Sequence, residues 1–210
     1  STFTFTSANW NSAQTVTVTG VDDNLVDGTI TSTLTVAVND GSSDNNFDPV
    51  ADQTVSVTTT DNDTAGFTVT QSGGSTSVAE TGTTDTFTVV LNAQPDSDVV
   101  LTITSSDTGE ATVTSTLTFT SANWNSAQTV TVTGVDDNII DGTITSTITI
   151  AVVDAASDDN FDGVADQTVS VSTTDNDVAG FTIAQSDGST RVAESGATDT
   201  FTVMLNAQPA

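Results

Sequence analysis

The run SANWNSAQTVTVTGVDDN occupies positions 7–24 and recurs without a change at 121–138. Whatever fold the chain adopts must therefore suit a unit of 114 residues, the offset between 121 and 7. The same offset carries Ala65-Gly66-Phe67 onto Ala179-Gly180-Phe181 and Ala79-Glu80 onto Ala193-Glu194. It also carries Asn92-Ala93-Gln94-Pro95 onto Asn206-Ala207-Gln208-Pro209. A period of this length is domain-sized, too long for one turn of a solenoid. Polar punctuation, TDND at 60–63 and TDNDV at 174–178, sets the boundaries. On this reading 1–63 is the C-terminal part of one repeat, 64–177 is a complete repeat, and 178–210 is the N-terminal part of the next. The chain opens in mid-pattern, as a slice of a longer array would.

Within the unit the periodicity is two. In TITSTITIAV, Ile144, Ile148, Ile150 and Val152 share one parity, and Thr143, Thr145, Thr147 and Thr149 the other. Such alternation of β-branched residues marks strands, and no window carries a helical period. Strands are expected at about 66–71, 84–92, 98–104, 111–120, 127–134, 143–153 and 167–173. Seven short strands in such a unit predict an all-β fold: tandem antiparallel, Ig-like β-sandwiches. The expected core is Phe67, Phe87, Leu101, Phe119, Val130, Ile148, Ile150 and Val171. Trp124 and Phe161 fall in connections and are expected to plug the ends.

Composition removes whole classes of chemistry. There are 28 acidic residues against one basic residue, Arg191, for a formal net charge of −27, and no Cys, His or Tyr. Imidazole bases, thiol nucleophiles and the soft ligands that zinc and copper prefer are absent. The negative charge opposes nucleic acid and anionic lipid. No apolar run is long enough to span a membrane. Paired carboxylates can hydrolyse glycosides, but two tryptophans give little for the walls of a sugar cleft. No enzyme activity is expected.

If successive strands run up and down, the first-to-second, third-to-fourth and fifth-to-sixth connections share one end with the close of the seventh strand. Glu80 and Asp85, Asp107 and Glu110, Asp136, Asp137 and Asp141, and Asp175 and Asp177 lie in or beside those segments. Carboxylates distant in sequence therefore converge on one tip. Asp, Asn and Gly are also ordinary turn residues, but a group of like charges destabilises unless something neutralises it. Calcium takes six to eight oxygen ligands in flexible geometry; magnesium, which keeps several waters, fits less well. At the opposite end, Asp158, Asn160 and Asp162 in SDDNFDG match the opening of a calcium loop without its closing Glu. The earlier copy has Pro49 where Gly163 stands.

The ordered motifs Val78-Ala79-Glu80, Leu117-Thr118-Phe119, a TVTV strand running into Asp136-Asp137, and Asp175-Asn176-Asp177 resemble the Calx-beta domain. They resemble more closely the Thr- and Asp-rich variant repeated in very large bacterial surface and secreted proteins. The resemblance implies a seven-stranded sandwich that holds calcium at its distal tip. It carries the ligand role to Glu80, Asp107, Asp136, Asp137, Asp141, Asp175 and Asp177. In the first partial copy it reaches Asp22, Asp23, Asp27, Asp61 and Asp63, and in the third, Glu194. Asn176 replaces the middle aspartate of the calcium-sensing members, which implies fewer ions or weaker binding.

The expected function is structural: a calcium-stabilised repeat of an extracellular bacterial stalk, adhesin or surface filament. Its expected partners are neighbouring repeats in the same or adjacent chains, with cell-surface or glycan ligands reached through other parts of a larger protein. Two alternatives stand beside it. One is a glycan- or surface-binding adhesive module, which the near-identity of the copies disfavours. The other is a filament subunit completed by strand exchange, in which counterparts of 97–114 would be missing.

Overall fold

The structure is a computed structural model that describes residues 1–209. The chain separates into two units, Ser1–Asn62 and Asp63–Ala210. Its secondary structure is β-strand with short 3-10 turns, so the all-β expectation holds. Alternating Thr with Val or Ile produces this: β-branched side chains suit a pleated surface, and the apolar parity has one face to bury.

In the first unit, β1 (Ile30–Val36) and β2 (Gln53–Thr59) pair antiparallel, with Leu34 opposite Val55 and Ser32 opposite Val57. Every residue of β1 is exposed.

The second unit contains a complete sandwich. Its strands are β3 (Phe67–Gln71), β4 (Thr76–Ala79), β5 (Thr84–Leu91), β6 (Val99–Ser105), β7 (Ala111–Val113), β8 (Thr116–Phe119), β9 (Gln128–Gly134), β10 (Ile144–Val152) and β11 (Gln167–Thr174). One sheet runs β4-β11-β10-β6-β8 and the other β3-β5-β9-β7. All pairs are antiparallel except β4 with β11. All eight expected core residues are buried, from Phe67 on β3 to Val171 on β11. Phe161 is fully buried, and Trp124 is half-buried.

Two expected strands divide. The first continues past a turn at Ser72–Gly74, where Gly73 and Gly74 adopt φ of 66° and 83°, and resumes as β4 in the opposite sheet. The polar run QSGGST reads as a connection, and four residues are too few to show a period. The strand expected over 111–120 is likewise two, β7 in one sheet and β8 in the other. In both cases the chain changes sheet to close a corner of the sandwich.

At the corner where β4 ends, the two sheets come very close. A Cβ placed on Gly134, the last residue of β9, would lie 2.1 Å from the Ala79 carbonyl oxygen. Glycine is required there by contact, since backbone passes directly over backbone.

After β11 the chain continues into β12 (Phe181–Gln185) and β13 (Phe201–Leu205), an antiparallel pair with Ile183 opposite Val203. Both strands are exposed throughout.

Candidate metal centre

Glu80 follows β4 directly. Its backbone N–H donates to the Thr174 carbonyl, which continues the parallel pairing of β4 with β11 and turns the carboxylate inward. Only 1% of the residue is exposed. Glu110 leads into β7 and is 6% exposed. Its carbonyl accepts from Val135 N–H at 2.9 Å and from the Thr173 hydroxyl at 3.4 Å, which holds this backbone between β9 and β11.

The connection from β9 to β10 and the segment after β11 supply the rest. Asp137 accepts from Ile139 N–H at 2.6 Å. Asp175 accepts from Gly142 N–H at 2.9 Å on one oxygen and from Asp177 N–H at 2.6 Å on the other. Asn176 donates its N–H to Glu80 Oε2 at 3.1 Å and its amide to Asp136 Oδ1 at 2.7 Å. Asp107 accepts from Gly109 N–H at 2.9 Å and so shapes the turn before Glu110.

Two carboxylate groups result. Oxygens of Glu80, Asp137 and Asp177 lie within 4.8 Å of one another, as do oxygens of Glu80, Glu110 and Asp141. Glu80 belongs to both. Glu110 Oε2 and Asp177 Oδ2 are buried and have no hydrogen-bond partner.

The electrostatics follow this geometry. Burial pushes the Glu80 carboxyl above its ordinary value, against the opposing hydrogen bond from Asn176, and Asp175, Asp137 and Asp141 add to the rise. Burial, then the charges of Asp141, Glu80, Asp107 and Asp137, raise Glu110. Asp177 is raised by desolvation and by the neighbouring aspartates. Asp175 goes the other way, held low by its backbone hydrogen bonds from Asp177 and Gly142. Its two oxygens already accept N–H groups, so it braces the segment that carries Asp177.

The tip thus gathers Glu80, Asp137, Asp141 and Asp177 directly, with Asp107, Asp136 and Asp175 in the turns that support them. Glu110 joins them although no motif marks it. Its place at this end follows from the up-and-down alternation of the strands, whereas its burial is legible only once the sheets are assembled.

In the first unit the same hydrogen bonds recur. Asp27 and Gly28 N–H donate to Asp61 Oδ2 at 3.1 and 2.8 Å, Asn62 donates to Asp22 at 3.1 Å, and Leu25 N–H donates to Asp23 at 2.9 Å. This unit has no counterpart of Glu80 or Glu110, and Asp63 belongs to the second unit. Glu194, the later counterpart of Glu80, is exposed.

The opposite end is built differently. Asp158 is 4% exposed and accepts from Asp96, Ser97 and Asn160 N–H at 2.6, 3.0 and 2.9 Å. Those bonds outweigh desolvation and hold its carboxyl below the ordinary range. The carboxylate serves as a staple between two loops. Asp162 is exposed, and desolvation together with Asp154, Asp159 and Asp158 raises it.

Oxygen donors without nitrogen or sulfur, formally acidic and partly unsatisfied, fit a hard cation such as calcium.

No family model and no curated protein matches the chain. Similar solved structures include domains 4 and 5 of the S-layer protein SbsC, at 26% identity and a TM-score of 0.35. That match covers 58% of this chain and 52% of the other, so the chain spans about half of the SbsC fragment. A longer SbsC fragment, domains 4–9, is 27% identical with a TM-score of 0.36, over 64% of this chain and 18% of that one. The apo-form Calx CBD1 domain is 14% identical with a TM-score of 0.38, over 53% of this chain and 98% of that domain.

Proposed function

We propose that the chain is a structural segment of an extracellular, bacterial surface stalk or filament whose β-sandwich repeats are stabilised by calcium at the acidic tip. The observation that carries this reading is the pair of carboxylate groups sharing buried Glu80, with orphaned oxygens on Glu110 and Asp177. A buried carboxylate oxygen without a partner costs about 1–3 kcal/mol or more, and a bound cation removes that cost. Glu80, Glu110, Asp137, Asp141 and Asp177 would hold the ion. When bound, calcium supplies positive charge and closes the loops around it.

The role at the tip is mechanical. Asp137 and Asp141 flank the segment Asn138–Ile140, which also meets the start of the next repeat. Gln208 N–H donates to the Asn138 carbonyl at 2.6 Å, and Ile140 N–H donates to the Gln208 carbonyl at 3.4 Å. Fixing the two aspartates fixes the loop between them, and with it the seat of the following repeat. Without the ion, like charges push the loop open. Extracellular calcium modules bind at about 10⁻⁴–10⁻³ M, which suits a calcium-rich medium outside cells. Carboxylate oxygens within 4.8 Å of one another support a structural, cation-holding role.

Thermal unfolding of the whole chain, metal-free and with added CaCl2, tests this. Calcium at 100 times its dissociation constant contributes about 2.7 kcal/mol, a rise in midpoint of roughly 10 °C. Equal midpoints with and without calcium would sink the proposal.

A further inference from the structure

Aspartate followed by glycine is a chemically labile pair. The glycine nitrogen attacks the carboxyl carbon of the preceding side chain, and no Cβ on the glycine obstructs the approach. A nitrogen–carbon bond forms, the carboxyl hydroxyl leaves as water with the amide proton, and a five-membered imide results. Water then opens the ring. Opening at the main-chain carbonyl gives isoaspartate. Mass is unchanged and no co-reactant but water is needed. The backbone becomes one methylene longer, and the free carboxylate now sits directly on Cα. A side chain converted in this way no longer reaches its former neighbours.

The chain has five such pairs, at Asp27, Asp40, Asp141, Asp162 and Asp187. The fold holds two of them alike. Gly142 N–H donates to Asp175 Oδ2 at 2.9 Å, and Gly28 N–H donates to Asp61 Oδ2 at 2.8 Å. Both the pair and its acceptor are related by the 114-residue offset, so the same device is built twice. At the tip of the complete repeat the carboxyl carbon is also held away. An oxygen of Asp141 lies within 4.8 Å of oxygens of Glu80 and Glu110. The two atoms that would join are therefore engaged by different partners. Ring closure requires the amide to leave Asp175 and turn back on Asp141. A hydrogen bond to a charged group lowers the population of the freed amide by roughly tenfold or more.

The opposite end of the complete repeat lacks this arrangement. Asp162 is exposed, and the Gly163 N–H has no acceptor among the described residues. A Cβ placed on Gly163 would meet no atom beyond its chain neighbours within 4 Å. Nothing obstructs the turn that the attack requires.

We propose that Asp61 and Asp175 guard Asp27–Gly28 and Asp141–Gly142 against imide closure, and that Asp162–Gly163 is the site at which the complete repeat converts to isoaspartate. Chemical wear then falls on an exposed loop, while Asp141 keeps its place beside Glu80 and Glu110. Neither guard needs a bound ion, so the inference stands apart from calcium.

The test is prolonged incubation of the intact chain in warm, mildly acidic buffer containing EDTA. Peptide mapping with electron-transfer fragmentation then separates isoaspartate from aspartate. Conversion at Asp162 should run about tenfold or more ahead of Asp27 and Asp141; equal rates overturn the proposal. Asp175→Ala should speed conversion at Asp141 by about tenfold or more and leave Asp162 as it was. Asp61→Ala should do the same at Asp27 alone. Asp175→Asn keeps an acceptor oxygen and should restore most of the protection. An Asp175→Ala chain with Asp141 no faster shows that the bond protects nothing; one with Asp162 equally faster shows a loss of fold and not of a guard. Either result overturns the assignment. Amide hydrogen exchange reads the same bonds without a substitution: Gly28 and Gly142 should exchange more slowly than Gly163, and equal exchange counts against the guards.

Discussion

Glu110 is the residue on which the proposed calcium ion and protons would compete most visibly. Glu80 and Glu110 are raised above an ordinary value of 4.5 in the folded chain. Between 4.5 and their folded values the native state keeps protons that the unfolded chain has lost, so metal-free stability falls as pH rises through that window. Asp85, Asp158, Asp175 and Asp199 are lowered from 3.8, so the stability they contribute is lost as pH falls below that value. Metal-free melts should therefore peak near pH 4, and calcium should remove the decline above it. Glu110→Gln should raise the metal-free midpoint at pH 7 by the equivalent of about 1 kcal/mol and shrink the calcium increment. An unchanged calcium increment would exclude Glu110 from the ion. Asp158→Ala offers the contrast: it strands the Asp96 and Ser97 N–H groups and should cost about 2–4 kcal/mol equally with and without calcium. The aspartates of VDDNIIDG and TDND were legible as a group because turn residues declare themselves in sequence. Glu110 was legible as a member of the same tip, but its burial was not, because that depends on backbone brought from β9 and β11.

At the scale of elements, local sequence and tertiary partner can be separated here. The turn at 121–126 and its counterpart at 7–12 form alike, with Asn123 and Asn9 accepting from Thr120 and Thr6 N–H at 2.6 and 2.5 Å. Their hydrogen bonds are local. The strand that follows forms in one copy and not in the other, because its bonds must come from elsewhere. This is why parity placed the core correctly while β4, which is four residues long and paired with a strand nearly 100 positions away, was missed. The same comparison yields a prediction. Gly134→Ala drives a Cβ into the Ala79 carbonyl and should cost about 3 kcal/mol or more of the complete repeat's stability. Gly20→Ala meets nothing closer than 3.8 Å and should leave that melt unmoved. Equal losses would mean the corner contact carries no weight.

Across the whole molecule, a net charge of −27 makes the screening of like charges by added salt stabilising to some degree. Screening and site binding differ in what they depend on. Sodium chloride should raise the midpoint gradually as the Debye length shortens from about 30 Å at 0.01 M to about 8 Å at 0.15 M. Calcium should exceed sodium at matched ionic strength and saturate; identical curves would reduce the tip to surface charge. The repeat itself was legible from an eighteen-residue identity and the all-β class from its alternation, but the strand count was not, since two of the seven expected strands divide between the sheets. The exposed faces of the terminal segments were not, since exposure is a property of what is packed alongside. That difference has a spectroscopic consequence. Trp10 and Trp124 sit in the same local sequence, one 71% exposed and the other half-buried beneath the Leu91 N–H bond to its carbonyl. The chain has no tyrosine to obscure them. Their emission should resolve into a red component and a bluer one, giving each molecule an internal comparison of one turn in two settings.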